Sequence, residues 1–156
     1  MIETTPHKKD NENMIIKPFS RKANYYETDR MGIIHHSNYI RWFEESRVDF
    51  MEQLNYPYQK VNDLGIDFAL LDVYCEYKSM VRFGDIVDIY VTLSDLTEMR
   101  MTINYKIVNK SNEICTLGHT KHFFYNNSKQ RPVSLKREIP ELYELFHSVS
   151  VPRTVN

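Results

Sequence analysis

A chain of 156 residues with 42% apolar and 13% aromatic residues is large enough to bury one core without disulfides or a structural metal. Its formal charge of -1 at pH 7 gives no reason to expect nucleic acid as a partner, which leaves a small molecule as the expected ligand. Cys75 and Cys115 have no second cysteine near either, so a disulfide framework or a zinc site is not expected and both read as reduced, buried thiols.

Residues 1–13 are polar and mixed in charge, without the apolar stretch of a secretion signal, and are expected to form a mobile tail. No later segment reaches the ~18 to 20 apolar residues of a membrane span. A cytoplasmic location without membrane insertion is the expectation. The folded domain is expected to run from 14 to 148, with a second mobile tail over 149–156.

The first element, Met14 to Tyr25, reads as a weak strand interrupted by Pro18 and placed at a sheet edge. From Tyr39 to Leu54, Tyr39, Ile40, Trp42, Phe43, Phe50, Met51 and Leu54 cover roughly half of a helix circumference, a long apolar helix with Ser37 or Asn38 as its cap. Asn55 and Pro57 end it, and Tyr58 to Asp63 adds a short helical turn before Gly65. Segments of period two follow. Ala69, Leu71, Val73, Cys75 and Tyr77 are expected on one strand face, and Val87, Ile89, Val91 and Leu93 on another after the Phe83-Gly84-Asp85 turn. Met99, Met101, Ile103, Tyr105 and Ile107 alternate with Arg100, Thr102, Asn104 and Lys106, a half-exposed strand, and Ile114 to Tyr125 is apolar or aromatic on both faces at its end, as suits a central or interface position. Glu138 to His147, with Pro140 in the first turn, reads as a terminal helix.

This order describes an α+β domain, an antiparallel sheet of about five strands curled around one long helix. One helix cannot cover both faces of such a sheet, so a homodimer that extends the sheet is expected.

Between the first strand and the helix lies Asn24-Tyr-Tyr-Glu-Thr-Asp-Arg-Met-Gly-Ile-Ile-His-His-Ser-Asn-Tyr39. It places Asp29 in a short loop that leads through Gly32 and His36 into the helix. A helix start presents free N–H groups and partial positive charge, which polarise a carbonyl, and a carboxylate just upstream can reach the same carbonyl carbon or a water beside it. That pairing suits hydrolysis.

Tyr25-Tyr-Glu-Thr-Asp29, Gly32-Ile-Ile34, His36-Ser-Asn-Tyr39 and Arg41-Trp-Phe-Glu44 followed by Arg47 resemble the signature of hotdog-fold acyl-CoA thioesterases, the group that contains 4-hydroxybenzoyl-CoA thioesterase and the Tol-Pal-associated thioesterases. The resemblance continues through Tyr77, Phe83-Gly-Asp85 and Arg131-Pro-Val133, over about residues 15 to 135. It implies the hotdog fold, a coenzyme A thioester substrate, no cofactor, and a homodimer or a homotetramer built as a dimer of dimers. It also implies that Asp29 is the nucleophile or general base, that Tyr25 and His36 belong to the active site, and that the His36 N–H polarises the thioester carbonyl. Glu27 stands where the family carries an aspartate, which bears on support of the loop. His35 stands where the family often carries tyrosine, which bears on the acyl pocket.

The remaining residues have their own readings. Arg47 falls inside the apolar arc of the helix, where a lone charge is costly, and Glu44 three residues earlier can pair with it. That pair is read as mainly structural, with a supporting role in the site. Gly32 lets the loop pass close to substrate. His35 and His36 are adjacent and no third ligand is apparent, so no metal is expected. Two alternatives to an acyl-CoA thioesterase share the fold: a non-catalytic acyl-CoA-binding module, against which the intact Asp29 argues, and an acyl-carrier-protein thioesterase. A dehydratase would need a second acid–base group, for which no motif is found.

Overall fold

The computed structural model describes residues 14–152; the tail expected over residues 1–13 and the last four residues lie outside the described residues. Strand β1 (Phe19–Lys22) is followed by a short 3-10 turn (Tyr25–Glu27), helix α1 (Asn38–Gln53) and helix α2 (Tyr58–Asp63). Strands β2 (Ile66–Tyr77), β3 (Ile86–Ser94), β4 (Arg100–Asn109), β5 (Ile114–Asn126) and β6 (Arg131–Pro132) come next, then helices α3 (Leu135–Glu138) and α4 (Pro140–Val149). The sheet is antiparallel throughout, in the order β1-β3-β4-β5-β2, with β6 on β5. This is the hotdog arrangement, with α1 laid across one sheet face.

Register explains where the helix rests. Tyr77–Thr116–Ile107, Cys75–Gly118–Tyr105, Val73–Thr120–Ile103 and Leu70–His122–Met101 form successive rows across β2, β5 and β4. Phe43 is fully buried over the second row, its ring stacked on Tyr105 at 4.2 Å. The helix touches the sheet through Tyr39, Trp42, Phe43, Ser46 and Phe50, spaced by three and four residues. Ile40, expected in the apolar arc, is 43% exposed; it stands about 100° around the helix from Tyr39, on the side that is covered only further along, where Met51 is buried. Ser37 occupies the N-cap position without a side-chain cap bond; its hydroxyl is held by His35 instead.

Three expectations change, two of them in strands. The first strand is only four residues long, because Pro18 has no N–H to donate and the chain leaves the sheet at Ala23 for the 3-10 turn. In β2 the pairing slips between Leu70 and Asp72, which leaves Leu71 as an extra residue. Such a bulge inverts the alternation, so Val73, Cys75 and Tyr77 share the helix face while Ala69, opposite Phe123, lies on the other. At the C-terminus the last helix runs to Val149, and Val151 still donates its N–H to the Leu93 carbonyl at 2.8 Å, so ordered chain continues past the boundary expected at residue 148. β5 is internal, between β4 and β2, while β2 is a twelve-residue edge strand.

Among the described residues no helix is long and apolar enough to cross a membrane, and no group of three or more His, Cys, Asp or Glu is placed to hold a metal ion.

Candidate active site

The loop between β1 and α1 is built on Glu27. Its carboxylate is buried and accepts bonds from Arg21 Nη1 at 2.7 and 2.9 Å, Trp42 Nε1 at 2.7 Å and the Asn24 N–H at 2.9 Å. Burial alone would raise its pKa, but the bonds from Trp42, Arg21 and Asn24 outweigh it and hold the group below the usual glutamate value. The Glu27 carbonyl takes two further donors, the His35 N–H and Asn38 Nδ2, both at 2.9 Å. One residue thus ties β1, the loop and the start of α1 together.

From that anchor the chain makes a tight excursion that carries Asp29. The Asp29 N–H donates to the Ile33 carbonyl at 2.8 Å, its carbonyl accepts from Gly32 at 3.0 Å, and its Oδ1 accepts from the Met31 N–H at 2.8 Å. Gly32 closes this turn at φ +76°, a conformation that costs a glycine little. Bridges between Thr28 and Ile34 and between Ile33 and Arg82 pin the return of the loop to the sheet.

Three N–H groups around the helix start have acceptors within the fold. His35 donates to Glu27, Ser37 donates to His35 Nδ1 at 3.2 Å, and Asn38 donates to the His35 carbonyl at 3.0 Å. Among the described residues the His36 N–H has no protein acceptor. The carbonyl of the same residue is held by the Tyr77 hydroxyl at 2.8 Å, so the peptide is fixed from the sheet side.

A cavity of about 340 Å³ opens here, lined by Asp29, Met31, Ile33, Ile34, His36, Tyr39, Tyr77, Lys78, Ser79 and Met80. Its walls are mostly apolar, with one carboxylate and one ammonium. Tyr39 is buried between Trp42 and Tyr77, with ring centroids 5.0 and 5.1 Å away, and burial pushes its phenol up to about 12. Burial also raises the Tyr77 phenol. Both therefore stay protonated and can act only as neutral hydrogen-bond groups at pH 7.

The cavity unites Asp29, Ile34 and His36 among the residues singled out from the sequence. Tyr25 is outside its lining: it is 75% exposed in the 3-10 turn, its ring edge-on to Phe83 at 5.6 Å. His35 turns away to Ser37 Oγ at 2.8 Å, and its ring lies 4.0 Å from that of His36. The Glu44–Arg47 pair is remote from the cavity and loose, at 3.9 Å, because Glu44 is in solvent; Arg47 is held by the Tyr105 hydroxyl at 3.1 Å instead. Tyr39, Lys78, Ser79 and Met80 were not singled out as site residues. Tyr39 reads as ordinary core in a helix pattern, and the 78–80 stretch reaches the cavity only because β2 ends beside the helix start.

A model of the thioesterase-like superfamily matches residues 24–144, which takes in the loop, helix α1 and strands β2 to β6. The chain belongs to that superfamily. Solved structures agree. A hypothetical protein from Aquifex aeolicus is 34% identical, with a TM-score of 0.75 over 81% of this chain and 98% of that one. A DHNA-CoA thioesterase from Staphylococcus aureus is 27% identical, with a TM-score of 0.82 over 88% of this chain and 98% of that one. In sequence, the chain is 22% identical over 116 residues to the acyl-CoA thioester hydrolase YbgC of Escherichia coli O6:H1, covering 74% of this chain and 87% of the relative.

Proposed function

We propose that this protein hydrolyses an acyl-coenzyme A thioester to the carboxylate and free coenzyme A, with Asp29 as the reacting carboxylate and the His36 N–H as the oxyanion donor. The observation that carries the reading is that a carboxylate and a residue with an unpartnered helix-start N–H line one apolar cavity. An N–H already bonded within the fold could not strengthen its bond as a carbonyl oxygen gains charge; a free one can. Asp29 acts by attacking the carbonyl carbon, which expels the thiolate and leaves a mixed anhydride for water, or by taking a proton from the water that attacks. No metal or organic cofactor enters either route. His36 contributes through its backbone, and the Tyr77 hydroxyl keeps that peptide oriented. The thioesterase relatives support a coenzyme A substrate, and a cytoplasmic location is consistent with it.

The edge strand supports assembly. Leu70, Leu71, Tyr74 and Tyr77 of β2 are about half exposed along an open sheet edge, and an uncovered apolar edge of twelve residues invites pairing with a second copy. We infer a homodimer across β2, and its formation would enclose the cavity that opens beside Tyr77. Tyr25, exposed and outside the cavity lining, would gain a role in the site only through such an assembly. Light scattering should give at least twice the 18.7 kDa chain mass at micromolar concentration; a monomer mass refutes the assembly.

The activity is tested by thiol release from acyl-CoAs with wild type and Asp29→Asn side by side. Release by wild type with at least ~10²-fold slower turnover by a folded variant supports the assignment. Equal turnover removes Asp29 from it, and no release from any acyl-CoA removes the activity.

A further inference from the structure

The cavity at Asp29 is lined by the side of α1 at Tyr39 and by Tyr77 of the first row under the helix. An acyl chain that entered there and continued between helix and sheet would next meet the row Cys75–Gly118–Tyr105. There the layers are in full contact. Phe43 lies one helical turn after Tyr39, and a methyl group at Gly118 would sit 2.5 Å from Phe43 Cζ and 2.7 Å from the Tyr74 carbonyl oxygen, so Gly118 is bare because the ring occupies that space. On its other side the ring stacks on Tyr105.

The row beyond is closed in a different way. Arg47 bonds the Tyr105 hydroxyl at 3.1 Å, that hydroxyl meets Thr120 Oγ1 at 2.7 Å, and Thr120 Oγ1 meets His122 Nε2 at 2.8 Å. A methylene chain laid there would strip these groups of partners and leave a guanidinium against hydrocarbon. Steric closure at Phe43 and polar closure at Arg47 therefore stand in series along the same path.

Resting on the thioesterase reading, we propose that this enzyme takes short or compact acyl groups and that Phe43, seated on Gly118, is the residue that sets the depth of the acyl pocket. Removing the ring opens the path only as far as Arg47, four residues on, which is about 6 Å of helix and room for about four methylenes. The polar row then stops the chain.

The test is a kcat/KM series over acetyl-, butanoyl-, hexanoyl-, decanoyl- and hexadecanoyl-CoA, with benzoyl-CoA as a compact aromatic, for wild type, Phe43→Ala and Phe43→Leu. Wild type should prefer acetyl to hexanoyl or benzoyl groups and fall at least ~10-fold by decanoyl. Phe43→Ala should move the optimum outward by about four carbons while hexadecanoyl-CoA stays poor; Phe43→Leu, which keeps most of the core volume, should move it less in the same direction. A wild-type profile flat or rising to hexadecanoyl-CoA overturns the inference, as does an unchanged profile in a folded Phe43 variant. Binding of S-butyl- and S-hexadecyl-CoA thioethers, which cannot be hydrolysed, is measured alongside. If no thioester is cleaved, the thioesterase reading fails. The depth limit is then judged by the thioethers alone: it stands if the butyl compound binds at least as tightly and falls if the hexadecyl compound binds more tightly.

Discussion

Two polar regions flank the same helix, and they differ in what is left unsatisfied. Under the middle of α1, Tyr105, Thr120 and His122 are buried and Arg47 largely so, and they are bonded to one another, with His122 Nδ1 at 3.4 Å from the Phe68 carbonyl. Burial raises the Tyr105 phenol and pushes His122 down to about 4, so at neutral pH the row holds one cation among neutral groups. At the start of α1 the residue types are similar, yet Asp29 and His36 lie at an open cavity and the His36 N–H has no acceptor among the described residues. Polar groups that complete one another stabilise a fold; polar groups held in place but not completed can engage a substrate. The sequence motif contains both kinds, and only their partners tell them apart.

The sharpest break of this contrast is at Asp29. Asp29→Asn should lower kcat by at least ~10²-fold while the unfolding midpoint stays close to wild type, because among the described residues the side chain accepts only the Met31 N–H and an amide oxygen can do the same. Urea denaturation beside the activity assay checks both halves.

Glu27 should join the two behaviours. Glu27→Ala removes both bonds that Arg21 Nη1 makes to the carboxylate, leaves that nearly buried guanidinium with only the half-exposed Glu45 at 2.9 Å among the described residues, and frees the loop that carries Asp29. The expected loss is about 3 kcal/mol of stability together with a fall in kcat, while Glu27→Gln, which can still accept one bond each from Arg21 and Trp42, should lose less of both. A Glu27→Ala protein with wild-type kcat would show that the loop is positioned by something else.

His122 gives a pH signature confined to the buried row. Its pKa is about 4 folded against about 6.5 unfolded, so between those values the unfolded chain binds the extra proton. Stability therefore falls as the pH drops from about 6.5 toward 4, by up to about 3 kcal/mol, with no contribution at higher pH. Denaturation midpoints measured across that window should flatten in His122→Gln, over and above the acid loss contributed by the depressed Glu27 carboxylate.

The smallest effect expected is none. Exhaustive chelation should leave thioester hydrolysis unchanged, since the proposed chemistry rests on Asp29 and a backbone N–H. Elemental analysis that found about one tightly bound metal per chain, with activity lost and restored in step with it, would overturn the carboxylate mechanism.

The amphipathic run from Tyr39 to Leu54 and the alternation in β3 and β4 were legible because burial on one face imposes a period that local sequence must carry. The loop motif was legible in the same way, since a tight turn, a carboxylate and a helix start are all local. Other features depend on residues distant in the chain. Glu27 gains its hold from Arg21 and Trp42, which flank it on β1 and α1; Arg47 finds Tyr105, 58 residues away, in place of the neighbouring Glu44. The bulge at Leu71 is a property of pairing with β5 rather than of β2 itself, so the alternation misled the reading of Ala69. Local sequence determined the elements and the loop that carries Asp29, because their physics is short-range. Tertiary packing alone decided which polar groups are completed and which are left open, because a hydrogen-bond partner is supplied by whatever the fold brings alongside.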